Sequence, residues 1–237
     1  MEDLYKAGGS QRIFYELRDF LYLDAKSVNG TTLGEEIKNS AKWTQNIITN
    51  KSNPVFNAGS IAVLKGTLAP NSAIIKQSAA TQSLLIHEGR AVVFEGLEDL
   101  ANRIDRDDLD VTKDDVLVLK SIGPKGGPGM PEAGLIPIPK KLAKQGVKDM
   151  VRISDGRMSG TASGTIILHV TPESYENGPL AIVENGDLIK LDVPKRKIDL
   201  MISEEEIAER LLKRKELSIR RRGYNKIYME HVTQADR

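Results

Sequence analysis

Ile153-Ser154-Asp155-Gly156-Arg157-Met158-Ser159-Gly160-Thr161-Ala162-Ser163-Gly164 leaves one β-forming run, 150–153, and enters another, 164–170. A short apolar run that stops at small, polar, Gly-rich chain is the signature of a strand meeting a turn. Working outward, the pattern recurs. Similar runs stand at 61–65, 73–76, 90–94, 116–120, 181–183, 188–192 and 198–201. Glu184-Asn185-Gly186-Asp187 separates two of them, and Asn-Gly is a strong hairpin signal. The last three runs are therefore predicted to form an antiparallel meander. Two helices interrupt this texture, at 97–103 and at 138–145, the second introduced by Pro137 and Pro139. The expected fold is mixed α/β and mainly β. It is a β-barrel or β-sandwich core with covering helices, not a doubly wound parallel sheet.

The flanks read differently. Ser10 precedes Ile13, Leu17 and Leu21, an i, i+4, i+8 stripe on one helical face. Thr32-Leu33-Gly34-Glu35 has the spacing of a capping box and opens a helix toward Ala41. Ser203-Glu204-Glu205-Glu206 is a second such box, ahead of Ile207, Leu211 and Leu212, in a helix expected to reach Leu217. The expected organisation is a helical linker or remnant of a preceding domain at 1–52, the β-rich domain at 53–202, and a helix and tail at 203–237.

Composition removes several classes of function. Lys and Arg number 34 against 33 Asp and Glu, so no charge excess points to nucleic acid or an anionic membrane. Trp43 and an aromatic share of 5% supply no stacking platform for single strands. The apolar runs are far short of the roughly 20 residues that cross a bilayer, and Met1–Lys6 lacks a signal-peptide layout. With no cysteine, the chain holds neither a disulfide, a thiol nucleophile nor a thiolate-bound metal. A cytoplasmic protein is expected.

The densest glycine segment is Gly123-Pro124-Lys125-Gly126-Gly127-Pro128-Gly129-Met130-Pro131-Glu132. It can be neither helix nor central strand. It reads either as a rigid surface turn or as a site loop that another group approaches closely, ending in the carboxylate of Glu132. The Gly and Lys spacing of a phosphate-binding P-loop is absent. The 153–164 stretch also has two readings. It is a polar hairpin whose Ser and Asp side chains stabilise a turn, or it presents Ser159 as a nucleophile or base. No Gly-x-Ser-x-Gly elbow surrounds Ser159. His87, His169 and His231 are far apart, and His169 alternates with apolar neighbours, which suits a hydrogen-bonded core or interface residue. The run Arg220 to Arg222 reads as a solvated helix end.

Gly123 to Glu132, followed by Ser154-Asp155-Gly156-Arg157-Met158-Ser159-Gly160, resembles the dihydroxy-acid and sugar-acid dehydratase family. That family includes dihydroxy-acid dehydratase, 6-phosphogluconate dehydratase and the aldonate dehydratases. Gly59 to Pro70, Val93-Phe94-Glu95, His169-Val170-Thr171-Pro172-Glu173, Gly178-Pro179-Leu180-Ala181 and Asn185-Gly186-Asp187 agree with it. Met158-Ser159-Gly160-Thr161 with Leu168-His169-Val170 is closer to the sugar-acid enzymes. The branched-chain enzyme more often has Phe before the matching serine and Gly-His in place of Leu-His.

The resemblance is to the C-terminal part of longer enzymes, so it implies a swivelling β-barrel-like domain that is inactive alone. The missing N-terminal catalytic domain would bring an iron–sulfur cluster and most ligands of a Mg²⁺ ion. The whole enzyme would be a homo-oligomer acting on a small sugar acid or dihydroxy acid and giving a 2-keto acid. By the same resemblance Ser159 is the catalytic base, Glu132 the Mg²⁺ ligand from this part, and Thr161, Gly126 and Gly127 contact the substrate. In an extended strand Ser159 and Thr161 would share a face. Two alternatives stand: the dihydroxy-acid dehydratase of branched-chain amino-acid biosynthesis, and a binding or assembly fragment without catalysis.

Overall fold

A computed structural model of the chain describes residues 1–40, 45–214 and 222–237. The expectations that fall on Ala41, Trp43, Leu217, Arg220 and Arg221 lie outside the described residues. Two compact units are present, Met1–Gly59 and Ser60–Arg237.

The first unit is helical. α1 (Glu2–Lys6), α2 (Gly9–Glu16) and α3 (Leu33–Ile37) are joined by turns. The capping box at α3 is complete: Glu35 N–H donates to Thr32 Oγ1 at 3.3 Å, and Thr32 N–H donates to Glu35 Oε2 at 2.8 Å. α2 is shorter than the stripe of apolar residues implies. It stops at Glu16, a 3₁₀ turn follows over Arg18–Phe20, and Leu21 is extended, so Leu21 does not share the face of Ile13.

The second unit is built on eight strands. These are β1 (Ala62–Leu64), β2 (Ser72–Ile75), β3 (Ile86–Phe94), β4 (Val116–Leu119), β5 (Arg152–Ser154), β6 (Ile166–Thr171), β7 (Leu188–Asp192) and β8 (Lys197–Leu200). They pair in the order β1-β2-β6-β5-β4-β3-β7-β8. The central pairs β3/β4, β4/β5 and β5/β6 are parallel, and the outer pairs are antiparallel. A parallel bridge between Lys65 and Lys197 brings the two outer strands together and makes the sheet barrel-like. Gly66 lies at that seam, where any side chain would run into the Ile198 carbonyl.

Alternation explains why the strands read as wholly apolar. Along β3 and β4, Ala91, Val93, Val116 and Val118 fill one core with Ala62, Ile75, Ile153, Ile189 and Ile198. Their neighbours Val92, Phe94, Leu117 and Leu119 fill a second core with Leu100 and Ile104, and with Leu142. The helical residues belong to and adjoin α4 (Leu97–Arg103) and α5 (Lys140–Lys144), which connect β3 to β4 and β4 to β5. Strands covered on both faces need apolar residues at every position.

Two expectations are corrected. The run 181–183 is not a strand: Pro179–Ile182 is a buried 3₁₀ turn. The Asn185-Gly186 turn therefore does not close a hairpin. Asn185 Oδ1 accepts from Val93 N–H at 2.7 Å and Gly186 N–H donates to Ala91 O at 2.9 Å, so the turn docks onto β3. The meander has two strands, β7 and β8, joined by a turn with Arg196 at φ 58°. The last helices are α6 (Glu204–Lys213) and α7 (Tyr224–His231). Ser203 caps α6, accepting from Glu206 N–H at 3.1 Å. No helix among the described residues is long and apolar enough to cross a membrane.

Candidate active site

β4 and β5 are neighbouring parallel strands, so their carboxyl ends lie at the same edge of the sheet. Ligands of parallel sheets commonly sit at that edge. The Gly-rich loop leaves β4 there, and the serine loop leaves β5 beside it.

The Gly-rich loop is fastened from beneath by two buried carboxylates. Asp155 accepts from Ile122 N–H at 3.0 Å, Ser121 N–H at 3.2 Å and Ser174 N–H at 2.9 Å. Glu173 Oε2 accepts from Lys125 N–H at 2.9 Å and Gly126 N–H at 3.0 Å. Glycines let these groups come close. A Cβ on Gly123 would lie 2.6 Å from Glu173 Oε2, and one on Gly126 would lie 2.9 Å from the Ser121 carbonyl. The loop also closes on itself, with Gly127 N–H on Gly123 O at 2.8 Å and Met130 N–H on Gly127 O at 2.8 Å. Gly126 is buried and its N–H is spent on Glu173; the Gly127 N–H is spent on Gly123. These two glycines thus offer closeness of approach, while their N–H groups serve the loop.

Glu132 ends the loop on the surface. Arg157 joins it to the serine loop: its Nε donates to Met130 O at 2.7 Å and one terminal nitrogen lies 2.8 Å from Glu132 Oε1. Ser159 and Thr161 are brought together by a turn, not by a strand. Ala162 N–H donates to Ser159 O at 3.0 Å, and the two hydroxyls lie 3.1 Å apart. Lys76 brings an ammonium to within 2.9 Å of the Gly160 carbonyl, next to Ser159.

Burial sets the titration of the surrounding groups. It pushes Glu173 up to about 7, and the neighbouring Asp155 adds to the rise. It also raises Asp155 itself, against the three N–H donors that favour its charge. His169 is pushed down by burial and then by Arg157. It is half-buried with φ 52°, and its Nδ1 is buried without a partner, so the expected hydrogen bond is not made there. Tyr228 is pushed up by burial.

The donor set accommodates a hard cation only in part. Glu132 presents carboxylate oxygen, the right donor for Mg²⁺. Among the described residues no group of three or more His, Asp or Glu is gathered to hold an ion. With no cysteine, the chain has no thiolate for a cluster. Glu173 was assigned no role on sequence grounds. Its signals are its place in the family-like stretch His169 to Glu173 and its charge just past an apolar strand.

Residues 46–237 match the family described as dihydroxy-acid/6-phosphogluconate dehydratase C-terminal. The chain is 44% identical to an L-arabinonate dehydratase of Rhizobium leguminosarum, across all of this chain and 41% of the relative. It is 40% identical to a 6-deoxy-6-sulfo-D-gluconate dehydratase of Pseudomonas putida, across all of this chain and 42% of the relative. It is 43% identical to a dihydroxy-acid dehydratase of Carboxydothermus hydrogenoformans, across 89% of this chain and 38% of the relative. The chain thus spans about two fifths of the length of the curated relatives it matches.

Proposed function

Because this chain belongs to the dihydroxy-acid/6-phosphogluconate dehydratase C-terminal family, we propose that it forms the base-bearing part of a hydro-lyase acting on sugar acids. The observation that carries the reading is Arg157, which ties the Glu132 loop to the Ser159 loop at one sheet edge. Two motifs far apart in sequence thereby become one surface.

The reaction removes the C2 proton of a 2,3-dihydroxy acid and breaks the C3–O bond. The 3-hydroxyl leaves as water once protonated, and the resulting enol becomes a 2-keto acid. Ser159 Oγ is the acceptor of the C2 proton. A serine serves as base only if nearby cations favour its alkoxide; the candidates are Lys76, which bonds the adjacent Gly160 carbonyl, and Arg157, two residues before Ser159. Thr161, with its hydroxyl 3.1 Å from Ser159 Oγ, donates to the alkoxide and accepts from a substrate hydroxyl. Glu132 would hold Mg²⁺ after exchanging its contact with Arg157. When bound, such an ion would supply Lewis acidity that makes the C2 proton easier to remove. The chain has no cysteine, so the thiolates of a cluster would come from outside it. An N-terminal partner domain would cover this edge and complete the site.

Several small polar groups, Ser159, Thr161 and Ser163, favour a hydroxyl-rich substrate over a branched-chain one. The test is complementation. The chain is mixed with the separately produced N-terminal part of an aldonate dehydratase, and 2-keto acid is assayed across aldonates and branched dihydroxy acids. Activity on aldonates that is lost in both Ser159→Ala and Glu132→Ala supports the reading. Assembled but inactive halves would overturn it in favour of a binding fragment.

A further inference from the structure

Glu173 is an unusual way to fill a core. Its residue is 0% exposed, one oxygen serves two loop N–H groups, and the other, Oε1, is buried with no partner. A buried carboxylate with a bare oxygen costs stability, and an apolar residue of similar size would fill the space more cheaply. Its side chain bonds the Gly-rich loop, and its carbonyl accepts from the Glu176 and Gly178 N–H groups. Glu173 N–H donates to Gln234 Oε1 at 2.8 Å. A glycine at 123 is required for the oxygen to reach the loop at all.

We propose that Glu173 is a positioning residue whose carboxylate latches the Gly-rich loop through the Lys125 and Gly126 N–H groups and so sets the stance of Glu132. Hydrogen bonds to an ionised acceptor are about twice as strong as neutral ones, so a proton on Glu173 loosens the latch. The groups that face it are few. Asp155 lies in the loop after β5 and Glu176 in the adjoining 3₁₀ turn, and both favour the proton. Tyr228 of α7 responds to its charge. Lys125 is held on Glu176 at 3.1 Å, and Arg214 donates to the Ser174 carbonyl at 2.6 Å. Burial dominates these and pushes Glu173 up to about 7. The latch is therefore closed above that pH and loosened below it. The consequence for Glu132 rests on the dehydratase reading; the latch itself does not.

The test is nuclear magnetic resonance on the whole chain, which needs no substrate, metal or partner. The side-chain carboxyl of Glu173 is expected to titrate near pH 7, and the amide signals of Lys125 and Gly126 to move with the same midpoint. In Glu173→Gln that amide transition disappears, while in Asp155→Asn it persists at a lower midpoint. Amides at 125 and 126 that stay still between about pH 5.5 and 8.5 would overturn the latch in the wild-type chain alone. So would a transition that survives in Glu173→Gln. In the assembled enzyme, Mg²⁺ binding measured directly at pH 8 is expected to weaken about tenfold in Glu173→Gln, the effect of losing an outer support. Unchanged Mg²⁺ affinity would overturn the link to Glu132. An assembly that binds no Mg²⁺ in either form would sink the dehydratase reading and leave the latch standing on its amide signals.

Discussion

In the loop after β4, the N–H groups of Ser121, Ile122, Lys125 and Gly126 all donate to the buried carboxylates Asp155 and Glu173. In the loop after β5, residues 157–163 are held at their two ends and little between. Gly134 N–H donates to the Arg157 carbonyl at 2.7 Å at one end. At the other, Thr165 N–H and Oγ1 donate to Asp149 at 2.8–3.1 Å. The middle has the Ser159–Thr161 contact, one turn and Lys76. The contrast suits the different tasks proposed for two loops of similar composition. On the proposed reading, Glu132 as a metal ligand needs a fixed backbone beneath it. A base that must meet a substrate can sit on chain whose final stance is set when the opposing surface arrives.

The contrast breaks most sharply at Ser159. In the assembled enzyme Ser159→Ala is expected to lower kcat by about 10³-fold or more, with stability within about 0.5 kcal/mol of wild type. A large loss of stability in urea unfolding would show that the serine loop is as firmly built as its neighbour. Asp155→Ala should do the reverse. It strips the acceptor from two buried N–H groups and one part-buried one, and each buried orphaned donor costs about 1–3 kcal/mol, so unfolding should become easier by about 3 kcal/mol or more. A variant of unchanged stability would mean the Gly-rich loop needs no support.

Glu173 sharpens the comparison through pH. Its folded-state value of about 7 lies above the ordinary 4.5, so the folded chain holds the extra proton between those values. Stability therefore falls as pH rises through that window, by up to about 3 kcal/mol for a shift of this size. Glu173→Gln removes the penalty. Its unfolding free energy should exceed the wild type's at pH 8 and approach it near pH 5. A variant less stable at both pH values would make Glu173 an ordinary structural residue.

What could be read from residues alone follows the same division. Short apolar runs marked most strands, because strands covered on both faces carry their burial in every residue. The order of the strands was not legible. An antiparallel meander and a parallel β3-β4-β5 core offer similar runs and similar turns. The run Ala181 to Val183 misled because buried 3₁₀ chain is as apolar as a strand, and Asn185-Gly186 because a hairpin turn and a turn docked on β3 use the same residues. Ser159 and Glu132 stood out through their motifs. Glu173 lay in a family-like stretch, but nothing there marked its role, since charged side chains are almost never fully buried and a single sequence gives no sign of the exception.

The smallest expected effect bears on the one side-chain tie that reaches the middle of the serine loop from β2's end. Lys76 Nζ donates to the Gly160 carbonyl at 2.9 Å, and the contact is exposed. Water replaces such a bond readily, so Lys76→Met should change unfolding free energy by no more than about 0.5 kcal/mol. Its effect on turnover has a different origin. If the ammonium helps hold the Ser159 alkoxide, removing it raises the pH at which the base forms and moves the ascending limb of the rate profile to higher pH. The plateau at high pH would be nearly intact. A profile that keeps its midpoint while the plateau drops would mean that Lys76 shapes the loop and leaves the base to Arg157. The serine loop would then depend on a fastening as specific as the one beneath the glycines.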